Sequence, residues 1–267
     1  MRYTIETLTF DLAGDICLAA EGGSLVIAEL PRSHADALGP LLELRHVRPE
    51  VVVDQNWLTT TSYATLLMNM TLSQACWYEP TLGRQGFISI AKLRNDALAW
   101  PDFMIRAKRA AQNAGFSDDY AGKLAAAIGE FYSNVIEHSQ NLNSGYIVFC
   151  AKNRMFEFVV ADAGIGVLNS LRSNPRFANL GDSGRALELA LSEGVTRHTD
   201  PDRGNGFRPL FVGLANISRF IRFRSDDHSR ELIRADDGTI TALTRQVSKL
   251  SGFFCSVLCE AVGSTYP

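Results

Sequence analysis

The chain has 267 residues, 46% hydrophobic and 21% charged, the balance of a globular protein that can bury a sizeable core in one large domain or two small ones. A net charge of −3 excludes the strongly basic class that meets nucleic acid through its overall field, leaving only a local basic patch such as Arg219, Arg222 and Arg224. Five cysteines without a CxxC pair argue against a disulfide framework, and no run reaches the ~18 uninterrupted apolar residues of a membrane helix.

From the start, MRYTIETLTFDLAGDICLAA carries acids and lacks a basic stretch before a long apolar core, so it does not read as a signal peptide. The expected location is the cytoplasm, with no membrane partner. Ile16 to Ala20 and Leu25 to Leu30 are strand-like runs separated by the hairpin signal Glu21-Gly22-Gly23. Ala35 to Leu44 and Tyr63 to Leu72 are helix-compatible, and Val51 to Val53 form a β-branched run. Trp100-Pro101 marks a boundary, because the residue before proline is pushed away from helix. The chain is therefore divided into a small α/β region over 1–100, sensory or partner-binding, and a second domain over 101–267. Trp57, Trp77 and Trp100 are expected in the core.

The second half is more regular. Phe103 to Asn113 reads as a helix ended by Gly115, and Ser117 or Asp118 can cap a long helix through Leu124, Ile128, Phe131, Val135 and Ile136. Tyr146 to Cys150 and Phe156 to Val160 are strands joined by the polar turn Lys152-Asn153-Arg154. Leu187 to Leu191 and Leu210 to Phe220 are read as helices. Ile221 to Phe223, Glu231 to Arg234, Thr239 to Ala242 and Phe253 to Glu260 are read as strands. Helices on a mostly antiparallel sheet make an α+β sandwich. Cys255 and Cys259 fall in an alternating, strand-like run, where a spacing of four suits buried thiols better than metal ligands.

Three segments carry chemistry. In AAAIGEFYSNVIEHS, Glu130, Asn134 and His138 are four apart and share one helix face. A carboxylate, a carboxamide and an imidazole in line suit a site for hydrated Mg²⁺, which keeps several waters and needs few protein oxygens. The same spacing also describes a wet helix face. In FVVADAGIGV a strand ends in Asp162 followed by Gly164 and Gly166, able to accept from an exocyclic amine and to let backbone approach a ligand, or simply to turn the chain. In DPDRGNGFRPLFVGL, Gly204 and Gly206 precede an apolar helix, a geometry that can present N–H groups to phosphate.

In order, Glu-x-x-x-Asn on a helix, Asp-x-Gly-x-Gly after a strand and Gly-x-Gly before a helix resemble the GHKL superfamily of ATP-binding proteins, over roughly Ala121 to Val262. AIGEFYSNVIEHS is similar to its N box, closest to the anti-sigma-factor serine kinases, which also carry a histidine at the His138 position. VADAGIGV and RGNGF resemble the G1 and G2 boxes. The resemblance implies a two-layer Bergerat ATP-binding sandwich with ATP and Mg²⁺ as cofactors. Asn134 would ligate Mg²⁺, and Glu130 would be the catalytic acid or base. Asp162 would read adenine, with Gly164 and Gly166 against the nucleotide and Gly204, Asn205 and Gly206 beside the phosphates. Residues 168–203 would form a mobile lid, with Arg197, His198 and Arg203 as candidates to meet the γ-phosphate.

Two departures stand out. Many relatives carry Gly-Thr in the late strand where this chain has Gly252-Phe253, and Arg208-Pro209 follows the G2 glycines directly. The implied function is a regulatory ATPase or serine kinase acting on a protein partner, with a homodimer possible. The alternatives are a non-hydrolysing ATP-dependent switch and a sensor histidine kinase phosphorylated on His34. Pro49, Pro80 and the Thr59-Thr60-Thr61 run interrupt the long helical hairpin that the kinase would need. His34, His46 and His228 are read as surface residues.

Overall fold

The structure is a computed structural model that describes residues 2–4, 7–22, 27–29, 38–49, 63–72, 75–141, 143–191, 214 and 217–261. Its centre is a six-stranded antiparallel sheet in the order β3-β4-β5-β6-β8-β7. The strands are β3 (Cys76–Tyr78), β4 (Gln85–Ser89), β5 (Tyr146–Lys152), β6 (Met155–Asp162), β7 (Ser218–Arg234) and β8 (Ile240–Glu260). β5 and β6 are joined through Asn153 and Arg154, both at positive φ, the backbone that a tight hairpin requires. β1 (Arg2–Thr4) and β2 (Ile27–Glu29) form a separate parallel pair.

Side chains alternate across the sheet, and both faces are apolar. Ile147, Phe149, Phe156, Phe158, Val160, Cys255 and Val257 face one core, covered by helices α5 (Ala99–Asn113) and α6 (Asp118–His138). Val148, Cys150, Val159, Ala161 and Phe254 face a second core, covered by helices α1 (Phe10–Glu21), α2 (Leu38–Val47) and α3 (Ala64–Thr71). The short helix α4 (Ile90–Asn95) follows β4 and contributes Ile90 and Leu93 to the first core. The expected α+β class holds. Instead of two layers, however, the described chain has three, because the N-terminal helices close the sheet's second face.

Several elements differ from the sequence reading. Ile16 to Ala20 lies inside α1, not in a strand. Thr9 caps that helix by accepting from the Leu12 N–H at 3.2 Å, and Ala13, Ile16 and Cys17 bury one helical face. Consequently β2 pairs with β1 across α1 rather than forming a hairpin with Ile16 to Ala20. Ser218 to Phe220, placed in a helix, opens β7. The late short strands merge into one long hairpin, β7–β8, paired from Ser218↔Cys259 to Arg234↔Ile240 with register shifts around Asp226. Val51 to Val53 and Trp57 lie outside the described residues.

Trp100-Pro101 interrupts nothing. Both residues sit in the first turn of α5, where backbone N–H groups lack helical partners and proline costs no hydrogen bond. β3 and β4, from the N-terminal side of that point, extend the same sheet as β5. Trp100 stacks on Tyr132 of α6 with centroids 4.4 Å apart, at the edge of the first core.

Candidate functional site

Helix α6 forms where the sequence signals put it. Ser117 accepts from the Tyr120 N–H at 3.3 Å, and Asp118 and Asp119 occupy the first turn, where carboxylates favour the positive end of the helix dipole. Leu124, Ile128, Phe131 and Val135 bury its core stripe, each contributing about 1.5–3 kcal/mol. Glu130, Asn134 and His138 form the neighbouring stripe. Glu130 is exposed, while Asn134 and His138 are half-buried.

The end of β6 meets the end of this helix. Asp162 has the parity of Phe158 and Val160, so its side chain lies on the α6 face. It is only 3% exposed. Burial pushes its carboxyl up to about 6, against hydrogen bonds to Oδ1 from the Gly164 N–H at 2.7 Å and to the carboxyl from the Ser139 side chain. The following loop is tied to the chain just beyond α6. The Ile165 N–H donates to the Ser139 carbonyl at 2.9 Å, Asn141 Nδ2 to the Ala163 carbonyl at 3.1 Å, and the Ala163 N–H to Ser144 Oγ at 3.0 Å. His138 Nδ1 lies 3.2 Å from Ser170 Oγ of helix α7 (Gly166–Arg172). The first two motif segments therefore form one contiguous unit.

The glycines serve that close packing. A Cβ on Gly164 would stand 2.0 Å from the Ser139 carbonyl oxygen. Gly166 has φ +75°, and a Cβ there would crowd Ser225 Oγ at 2.8 Å. That hydroxyl receives the Val167 N–H at 2.9 Å and donates to the Gly252 carbonyl at 2.8 Å. Gly252 has φ +82° and faces the Asp162 carbonyl. Phe253, paired with Asp162 across the sheet, is 8% exposed and packs near Phe131 and Phe223 at centroid distances of 6.4 and 6.1 Å. An aromatic side chain thus stands beside the buried carboxylate.

The first part of the expected lid is helical and anchored. After α7 and the 3₁₀ turn Pro175–Phe177 comes helix α8 (Ser183–Ala190), and Leu168, Leu171, Ala186 and Ala190 form a small core of their own. Loop-forming residues act here as caps: Asn174 accepts from the Arg176 N–H at 3.0 Å and Asp182 from the Arg185 N–H at 2.5 Å. α8 is fastened to both strands of the β7–β8 hairpin. Ser183 Oγ donates to Asp227 and lies 2.8 Å from His228 Nδ1, and Glu188 accepts from Thr244 Oγ1 at 3.1 Å. Asp227 is held down to about 2, first by Ser183 and then by His228. His228 is therefore part of a helix-to-strand fastening rather than an ordinary surface residue.

Gly204, Asn205 and Gly206 lie outside the described residues, as do His34, Arg197, His198, Arg203, Arg208 and Pro209. The suggested basic patch does not form. Arg222 and Arg224 are buried and reach Glu43 of α2 at 2.6 Å, while Arg219 pairs with Glu260 at 2.7 Å. Burial would raise Glu43, but the two guanidiniums outweigh it and hold the carboxyl low. Cys255 and Cys259 are buried in β8 with their thiols pushed up by burial. Four residues along a strand separate them by about 13 Å. Among the described residues there is no group of three or more His, Cys, Asp or Glu fit to hold a metal. Asn134 could supply one oxygen to a Mg²⁺ ion whose other ligands were water and phosphate. No helix among these residues is long and apolar enough to cross a membrane.

Sequence reasoning missed Ser139, Ser144 and Ser225. Ser139 closes the helix motif and could have been suspected as its link to the Asp162 loop; the others are defined by contacts across the fold. No protein-family model, curated protein or solved structure matches the chain.

Proposed function

We propose that the chain binds Mg–ATP in a Bergerat-type pocket between α6 and the end of β6, as a regulatory ATPase or serine kinase acting on a protein partner. The observation that carries this reading is the junction at Ser139. It joins the helix bearing Glu130, Asn134 and His138 to the loop bearing Asp162, Gly164 and Gly166. Asp162, buried and acceptor-rich, suits an adenine amine. The Asn134 carboxamide oxygen, one ridge away from the core stripe, would ligate Mg²⁺, and exposed Glu130 would orient or deprotonate a nucleophile. Magnesium would neutralise phosphate charge and activate the transferred phosphoryl group.

A non-hydrolysing switch is the second reading, favoured by Phe253 beside Asp162 and by the fastening of α8 to β7. In that case ATP would bias the arrangement of α7 and α8, and those helices would present the partner surface. A thermal-shift series with ATP, ADP and GTP, each with and without Mg²⁺, tests binding. Stabilisation by ATP that depends on Mg²⁺ is expected, and no shift with any nucleotide removes both readings. Phosphate release by the native protein and by Glu130→Ala then separates catalysis from switching.

A further inference from the structure

We infer that His46, on the opposite side of the sheet from the proposed pocket, is a positioning residue that fixes Asp162 and so sets adenine recognition; this rests on the ATP-binding reading above. α2 is attached to the sheet along a polar stripe. At its start the Leu38 and Gly39 N–H groups donate to Glu157 of β6 at 2.9 and 2.6 Å. One turn later Glu43 takes Arg222 and Arg224 of β7. Near its end the His46 ring is hydrogen-bonded to the backbone carbonyls of Ser251 in β8 and Asp162 in β6. Gly39, Glu43 and His46 are spaced i, i+4, i+7, one face of the helix.

The location of the His46 contact gives it its meaning. The β6–β8 ladder ends at the pair Asp162↔Phe253, and β8 departs from regular pairing with β7 just before, between Leu250 and Phe253. Carbonyls at such an end need donors from elsewhere. The imidazole meets one carbonyl from each strand, and its ring lies against Tyr146 and Phe254 at centroid distances of 5.8 and 6.2 Å. Burial drives the ring down to about 4, with Arg45 and Arg224 also opposing protonation and the Ser251 and Asp162 carbonyls favouring it. It is therefore neutral at physiological pH, with a single N–H for these two carbonyls. With the Asp162 main chain held from behind, its carboxyl keeps the Gly164 and Ser139 hydrogen bonds in front.

The test compares native protein with His46→Ala and His46→Gln, the second retaining an N–H donor. Amide hydrogen exchange at Gly164 reads the Asp162 hydrogen bond without nucleotide, and ATP and GTP affinities read base selection. In His46→Ala, Gly164 exchange is expected to rise about tenfold and ATP affinity to fall about tenfold, the scale of one oriented hydrogen bond. The ATP/GTP ratio should move toward one, and His46→Gln should recover both readouts to within about threefold. A folded His46→Ala protein with native Gly164 exchange overturns the inference, as does a His46→Gln protein no better than His46→Ala. If the native protein binds neither nucleotide, the ATP reading fails, and Gly164 exchange alone still decides the positioning role.

Discussion

Asp162→Asn should stabilise the protein above neutral pH while weakening ATP binding. The carboxyl titrates near 6 in the fold against an ordinary 3.8, chiefly because burial penalises its charge. The shift of about two units corresponds to about 3 kcal/mol of unfavourable charging in the native state. The sign follows from proton counting. Between about pH 4 and 6 the folded protein holds more protons on this group than the unfolded chain, so its contribution makes stability fall as pH rises through that window. Below about pH 4 both states are protonated and the penalty vanishes. Asparagine keeps an acceptor for the Gly164 N–H and a polar partner for Ser139 but carries no charge. Urea unfolding of both proteins at about pH 4, 5, 6 and 7.5 isolates the effect, because other titrating groups cancel in the difference. The variant should match the native protein at about pH 4 and exceed it by up to about 3 kcal/mol at about pH 7.5. Its ATP affinity should drop through loss of a charged acceptor, worth about 1.5–3 kcal/mol. A stability difference that is flat in pH, or a variant less stable than native at about pH 7.5, refutes the reasoning.

Gly164→Ala places a Cβ 2.0 Å from the Ser139 carbonyl and should cost about 3 kcal/mol in urea unfolding by forcing the loop from the helix end; a cost under about 1 kcal/mol would mean that the junction yields freely. Glu43→Ala leaves Arg224 buried without its carboxylate and Arg222 with only Glu231, so a loss of about 3–5 kcal/mol is expected by the same assay. Glu130→Ala, on an exposed helix position, should leave ATP affinity within about twofold and lower phosphate release about 10²–10⁴-fold. Equal release by both proteins would favour the switch.

The division between legible and hidden features follows the range of the interactions. α6, its Ser117 cap, β5 and β6 were readable because caps, a 3.6-residue stripe and strict alternation are local signals. α1 was misread because its short apolar run suits either a strand or a helix. The Thr9 cap and the burial of Ala13, Ile16 and Cys17 resolve it. Arg222 and Arg224 alternate with Phe223 as exposed strand residues would, and nothing nearby in the sequence reveals that Glu43 will cover them from 179 and 181 positions away. The candidate pocket shows the same split. Glu130 and Asn134 on α6, and Asp162 and Gly164 after β6, carry motif spacing, since each pair lies on one helix or one strand-to-loop turn. Glu157, Glu43 and His46 brace the same strands from behind, and only the crossing of α2 over β6, β7 and β8 brings them there. A motif therefore identifies what could touch a nucleotide, whereas the geometry of that contact depends on a layer whose residues look unremarkable until the sheet has two covered faces.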